Sequence, residues 1–179
     1  NYPLLQASWK VAPALAAGDT FVLKPSEITQ HSSVHLIRVL DEAGVPAGVA
    51  NLVLGTGAGC GGPLSSDPRV DLVSFTGSLA VGRHLMAEAA PTVKRVALEL
   101  GGKSAFLVLD DADLAGACSM SAFTASMHAG QGCAITTRLV VPRERYDEAV
   151  EAAAATMAGL KPGDPNDPGT ICGPVISAR

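Results

Sequence analysis

Cys133 follows Ala129-Gly130-Gln131-Gly132, a run of small residues that leaves a sulfur open to approach. A thiolate so placed is a ready nucleophile toward an electrophilic carbon, whereas the usual fate of a lone cysteine is inert burial, and the residue alone leaves both readings open. Glu99 closes the apolar segment Arg95-Val96-Ala97-Leu98-Glu99-Leu100 and precedes Gly101-Gly102. A carboxylate at such a segment end is expected to be half buried at a sheet edge, where burial tunes it for general-base work, although a satisfied structural carboxylate fits the same pattern.

Three further segments carry groups suited to binding. Lys24-Pro25-Ser26-Glu27 sets a cation and a carboxylate just past a β-branched and aromatic stretch, at the end of a strand where open α/β sheets bind ligands; a solvated loop pair is the alternative. Phe75-Thr76-Gly77-Ser78 reads as a strand end turning into a helix, with Ser78 as the cap and free N–H groups facing any anion placed there, as they would in ordinary capping. Gly57-x-Gly59-x-x-Gly62 follows a strand and formally fits a dinucleotide fingerprint. Five glycines in the eight residues from Gly55 satisfy that template by composition, and Pro63 and Pro68 leave little room for a long helix, so a surface loop reads equally well.

These groups need elements to hold them. Leu4, Leu5, Trp9, Val11, Ala12, Leu15 and Ala16 recur at helical spacing and stop at Gly18. Strands are expected over 20–24, 51–54, 70–75 and 95–100, with helices over 32–43 and 78–90 between them. Strand and helix alternate, which argues for a parallel sheet with helices on both faces. After Gly101-Gly102 a second unit begins, with strands over 105–109 and 138–141, helices over 114–127 and 145–160, and a turn-rich loop over 162–169. The expected domains are therefore residues 1–100 and 101–179.

Composition bounds the partners. The chain has 179 residues, 47% of them hydrophobic, enough for a real core. Its net charge of -4 comes without a Lys/Arg cluster, so neither nucleic acid nor an anionic membrane surface is an expected partner, and small molecules are. Four cysteines, at 60, 118, 133 and 172, have neither the density of a disulfide scaffold nor the spacing of a zinc site, so no metal is expected and a reducing compartment, the cytoplasm, is. No apolar run is long enough to span a bilayer. The absence of an initiating Met and of a closing element suggests a piece of a longer protein.

In order and spacing, Asn1-Tyr2-Pro3-Leu4, Lys24-Pro25-Ser26-Glu27, Phe75-Thr76-Gly77-Ser78, Glu99-Leu100-Gly101-Gly102-Lys103, Gly130-Gln131-x-Cys133 and Gly173-Pro174 resemble the NAD(P)-dependent aldehyde dehydrogenase superfamily across essentially the whole chain. The resemblance implies a Rossmann-like cofactor domain in 1–100, lacking its N-terminal part, and the start of an α/β catalytic domain in 101–179. It implies Cys133 as nucleophile, Glu99 as general base, the Asn1 amide and the Cys133 backbone N–H as oxyanion donors, and Lys10 at the place of a proton-relay lysine. For NAD, with NADP possible, it implies Lys24 and Glu27 at the adenosine ribose, Gly57 and Gly61 beside adenine, Ser78 at the pyrophosphate, and Ser26, Phe75, Thr76, Gly77, Leu100 and Gly101 completing the cofactor surface. Tyr2, Gln6 and Trp9 would line the aldehyde tunnel, with core packing as their alternative. His128 departs from the family, which usually carries Asn there. The implied reaction is aldehyde oxidation to a carboxylic acid in a homo-oligomeric parent. CoA-acylating chemistry and a truncated, non-catalytic nucleotide- or subunit-binding relative are the alternatives.

Overall fold

The computed structural model describes residues 1–175 and 177. The chain divides into two compact units, Asn1–Leu100 and a second from Gly101 onward.

Unit 1 opens with helix α1 (Pro3–Ala17). Pro3 occupies its first turn, where a missing N–H costs nothing, and Gly18 ends it at φ 83, a left-handed conformation that only glycine adopts freely. Strand β1 (Phe21–Leu23), helix α2 (Gln30–Glu42) and strand β2 (Ala50–Leu52) follow, and the two strands pair in parallel with Phe21 opposite Ala50. A π-turn (Gly57–Gly61) and the one-turn helix α3 (Gly62–Ser66) replace the loop expected from the glycine run. Strand β3 (Leu72–Gly77), helix α4 (Leu79–Ala89) and strand β4 (Arg95–Leu100) form a second parallel pair, in register over six residues from Leu72↔Arg95 to Gly77↔Leu100.

Alternation decides the faces of β4. Val96, Leu98 and Leu100 are half-buried, while Arg95, Ala97 and Glu99 are exposed. The covered face lies under α4, whose Gly82 comes so close that a Cβ there would meet Leu100 side-chain carbons at 3.1 and 3.2 Å. Ala7, Val11, Leu85 and Ala89 form the buried apolar part of this unit.

Unit 2 repeats the strand–helix–strand pattern with β5 (Ser104–Leu107), α5 (Leu114–Ser126) and β6 (Thr136–Val140), again parallel, followed by α6 (Tyr146–Gly159). Its core is Val108, Leu114, Cys118 and Ala149, with Phe106, Leu139 and Val141 packed against them. Leu114 is 1% exposed, so truncating it to Ala is expected to cost about 2–5 kcal/mol. Asp113 caps α5, its carboxylate accepting the Gly116 N–H at 3.2 Å.

The α/β class and the parallel pairing are as expected, and β4 matches the expected strand residue for residue. The other strands are displaced or shorter, because pairing ends where the partner ends: β1 and β2 share only three rungs. Among the described residues the six strands form three two-stranded sheets. Among the described residues no helix is long and apolar enough to cross a membrane, and no cluster of three or more His, Cys, Asp or Glu could hold a metal ion.

Candidate active site

In unit 1 the candidate base Glu99 lies at the carboxyl end of β4, beside the carboxyl end of β3. Thr76 lies directly opposite Glu99 in the parallel register, so both side chains leave the same face. Glu99 is exposed, not half-buried as its sequence position suggested, because α4 covers the opposite face of β4. Helix α1 approaches these two residues: the Thr76 hydroxyl donates to Gln6 Oε1 at 3.0 Å, and Lys10, one turn further along, lies within electrostatic reach of Glu99. Burial pushes the Lys10 ammonium below the ordinary lysine range, and the Glu99 carboxylate partly opposes that shift.

The remaining residues of this helix sit as follows. Asn1 is exposed and Tyr2 is half-buried, with Tyr2 capping α1 in a left-handed conformation at φ 49. Trp9 is 56% exposed, whereas Gln6 is only 8% exposed and is held by Thr76.

The residues expected to meet a cofactor follow or end the four strands of unit 1, except Gly101, which opens unit 2. Lys24 follows β1 and donates to the Pro25 carbonyl at 2.6 Å and the Gly55 carbonyl at 3.2 Å, which ties the end of β1 to the start of the glycine segment. Gly61 faces the Lys24 stem, since a Cβ there would sit 3.7 Å from its carbons. Thr56 caps the π-turn by accepting the Gly59 N–H at 3.0 Å, and Gly57 faces open space. Ser26 and Glu27 are exposed, with Glu27 in the turn leading to α2. Gly77 and Ser78 make the turn from β3 into α4. The Ser78 oxygen accepts the Val81 N–H at 3.3 Å, and a Cβ on Gly77 would run into the Phe75 ring. Open N–H groups at a helix start beside a hydroxyl suit a pyrophosphate, and the bare glycine backbone admits close approach. The residues present therefore fit a dinucleotide. Leu100 ends β4 half-buried, and Gly101, which opens unit 2, is exposed.

In unit 2, Cys133 lies in a turn between α5 and β6, exposed and free. Its three fellow cysteines are also free but differ in access. Cys60 and Cys172 are partly covered, and Cys118 is wholly buried, its thiol pushed up by burial. The segment before Cys133 is unusual: His128 (φ 51), Ala129 (φ 56) and Gly130 (φ 73) are consecutively left-handed, and the Gln131 N–H and side-chain amide both turn back toward the His128 carbonyl, at 3.2 and 3.5 Å. The left-handed backbone suits residue 128, since Asn and His are among the non-glycine residues most tolerant of that conformation.

Sequence reasoning missed Lys94. It is 8% exposed, and its ammonium donates to the Ser65 carbonyl at 2.8 Å and the Asp67 carbonyl at 2.6 Å, so it caps α3 and anchors the far side of the glycine turn. A buried lysine is rare enough to signal such a role, but nothing local distinguishes it from the exposed Arg95 beside it.

The whole chain, residues 1–179, matches the sequence profile of the aldehyde dehydrogenase family. It is 52% identical over 177 residues to the 3-succinoylsemialdehyde-pyridine dehydrogenase of a Pseudomonas species, covering 99% of this chain and 37% of that protein. It is 47% identical to the betaine aldehyde dehydrogenase of Bacillus subtilis, covering 100% of this chain and 36% of that one. Among solved structures, the Staphylococcus aureus betaine aldehyde dehydrogenase in complex with NAD+ superposes with a TM-score of 0.93 at 44% identity, over 99% of this chain and 35% of that one. A Pseudomonas syringae aldehyde dehydrogenase C mutant in complex with NAD+ and octanal gives 0.89 at 44% identity, over 93% and 34%. The chain spans about a third of the length of these relatives, and over that third it belongs to the aldehyde dehydrogenase family.

Proposed function

We propose that these residues carry the nucleophile, the general base and much of the cofactor surface of an NAD-dependent aldehyde dehydrogenase. The observation that carries the reading is Cys133: of the four free cysteines it is the exposed one, set in a turn of small residues at the family's nucleophile position. The Cys133 thiolate attacks the aldehyde carbon, and the Asn1 amide with the Cys133 backbone N–H stabilises the oxyanion that develops. Bound NAD supplies the acceptor for the hydride that the adduct loses. The thioester left on Cys133 is hydrolysed by a water that Glu99 deprotonates, releasing the carboxylic acid and the free thiol. Lys10, whose ammonium feels the Glu99 carboxylate, relays that proton onward.

Lys24 and Glu27 hold the adenosine ribose, Gly57 and Gly61 flank adenine, and Ser78 meets the pyrophosphate. Ser26, Phe75, Thr76, Gly77, Leu100 and Gly101 complete that surface, and Tyr2 and Trp9 supply aromatic lining for the aldehyde. Glu99 favours hydrolysis over transfer to CoA, because water is a much weaker acid than a thiol and needs a dedicated base to attack. The test is NADH formation by the full-length protein with betaine aldehyde or octanal and NAD. Cys133→Ala is expected to abolish it and Cys172→Ala to retain it; NADH from Cys133→Ala contradicts the assignment.

A further inference from the structure

Gln6 is buried, polar and committed to one partner 70 residues away, the hydroxyl of Thr76 at 3.0 Å. A neutral amide carbonyl buried without its donor is costly, so this bond fixes the position of the α1 segment that carries it. Two features make that position matter. Gln6 and Lys10 are four residues apart on α1 and so share a helix face, and Thr76 and Glu99 are directly opposed neighbours on β3 and β4. The same helix face therefore reaches both strand ends, through Gln6 to β3 and through Lys10 to Glu99. Among the described residues Lys10 and Glu99 form no direct salt bridge and act on one another through space, so their coupling depends on how α1 is seated.

We propose that Gln6 is a positioning residue: by accepting the Thr76 hydroxyl it seats α1 on the ends of β3 and β4, and so sets the approach of Lys10 to the carboxylate that activates the hydrolytic water. The inference rests on the reading of Glu99 as general base, and it replaces a role for Gln6 in the wall of a substrate tunnel. It assigns Gln6 to the hydrolytic half of the reaction, after the thioester on Cys133 has formed.

The experiment uses the full-length protein with NAD and whichever of betaine aldehyde and octanal turns over faster. Gln6→Met keeps the length of the side chain and removes the acceptor. It is expected to lower steady-state turnover about tenfold, the size of one lost buried hydrogen bond. The first equivalent of NADH should still form, and acyl-enzyme on the Cys133 peptide should accumulate in mass spectra. Thr76→Val cuts the same bond from the other side, so the double variant is expected to slow hydrolysis of the preformed acyl-enzyme no more than Gln6→Met alone. Gln6→Glu restores an acceptor oxygen and is expected to recover part of the turnover. Unchanged turnover in Gln6→Met overturns the proposal, as does a raised KM for aldehyde at constant kcat, or fully additive losses in hydrolysis. If Gln6→Met does not fold, Thr76→Val with Gln6→Glu decides: faster hydrolysis in Gln6→Glu than in Thr76→Val supports the proposal, and equal loss overturns it. Failure of the underlying reading looks different, because the unsubstituted protein would then form neither NADH nor an acyl adduct on Cys133.

Discussion

Single residues separate the four thiols by access. Cys133 is exposed, while Cys118 is at 0% exposure with its thiol pushed up, so less of it is thiolate at any pH. Brief treatment with iodoacetamide followed by peptide mapping is expected to label Cys133 first and Cys118 last; a Cys118 adduct ahead of Cys133 would mean the two environments are reversed. Glu27 carries a second expectation. Glu27 is exposed, and in its proposed place at the adenosine ribose its carboxylate accepts hydrogen bonds from the hydroxyls and repels a 2′-phosphate, so the full-length protein is expected to favour NAD, and Glu27→Gln to narrow the ratio of kcat/KM for NAD over NADP. An unchanged ratio would remove Glu27 from cofactor choice. The segments that hold Cys133 and Glu99 stand out in the sequence by their distinctive neighbours, which is what the proposed roles rest on. Burial was less legible: Glu99 was expected half-buried, yet the alternation Arg95, Ala97, Glu99 against Val96, Leu98, Leu100 already marked its face as the uncovered one.

At the scale of elements, β4 could be read to the residue because it alternates cleanly and is stopped by Gly101-Gly102. The π-turn over Gly57–Gly61 could not, because glycine carries no periodicity to read. Nor could the left-handed run before Cys133, where the sequence showed small residues but not their backbone angles. That run has a measurable cost: Ala129 at φ 56 bears a Cβ penalty of about 1–2 kcal/mol, against about 0.5–1 kcal/mol of extra chain entropy that a glycine there would lose on folding. Ala129→Gly is therefore expected to stabilise the fold by up to about 1 kcal/mol, read from the urea midpoint of unfolding. Destabilisation by a similar amount would show that the segment is not left-handed in solution.

Over the whole molecule, strand–helix–strand order was legible from punctuation by Gly and Pro. The three strand pairs among the described residues were not, since pairing is a non-local choice that local patterns leave open. Large apolar side chains such as Trp9, Ile28 and Val93 remain 56%, 79% and 89% exposed, and the relatives are about three times longer than this chain. Activity is therefore a property to be measured on the full-length protein. In the proposed mechanism the chemistry divides there between two residues: Cys133 forms the thioester and Glu99 activates the water that breaks it. Glu99→Gln keeps the shape of the side chain but cannot accept a proton, so turnover is expected to collapse while acylation persists. The direct test is mass spectrometry of full-length Glu99→Gln after incubation with aldehyde and NAD. An acyl adduct accumulating on the peptide that contains Cys133 is the predicted result; near-normal turnover, or an adduct on Cys60, Cys118 or Cys172 instead, would contradict it.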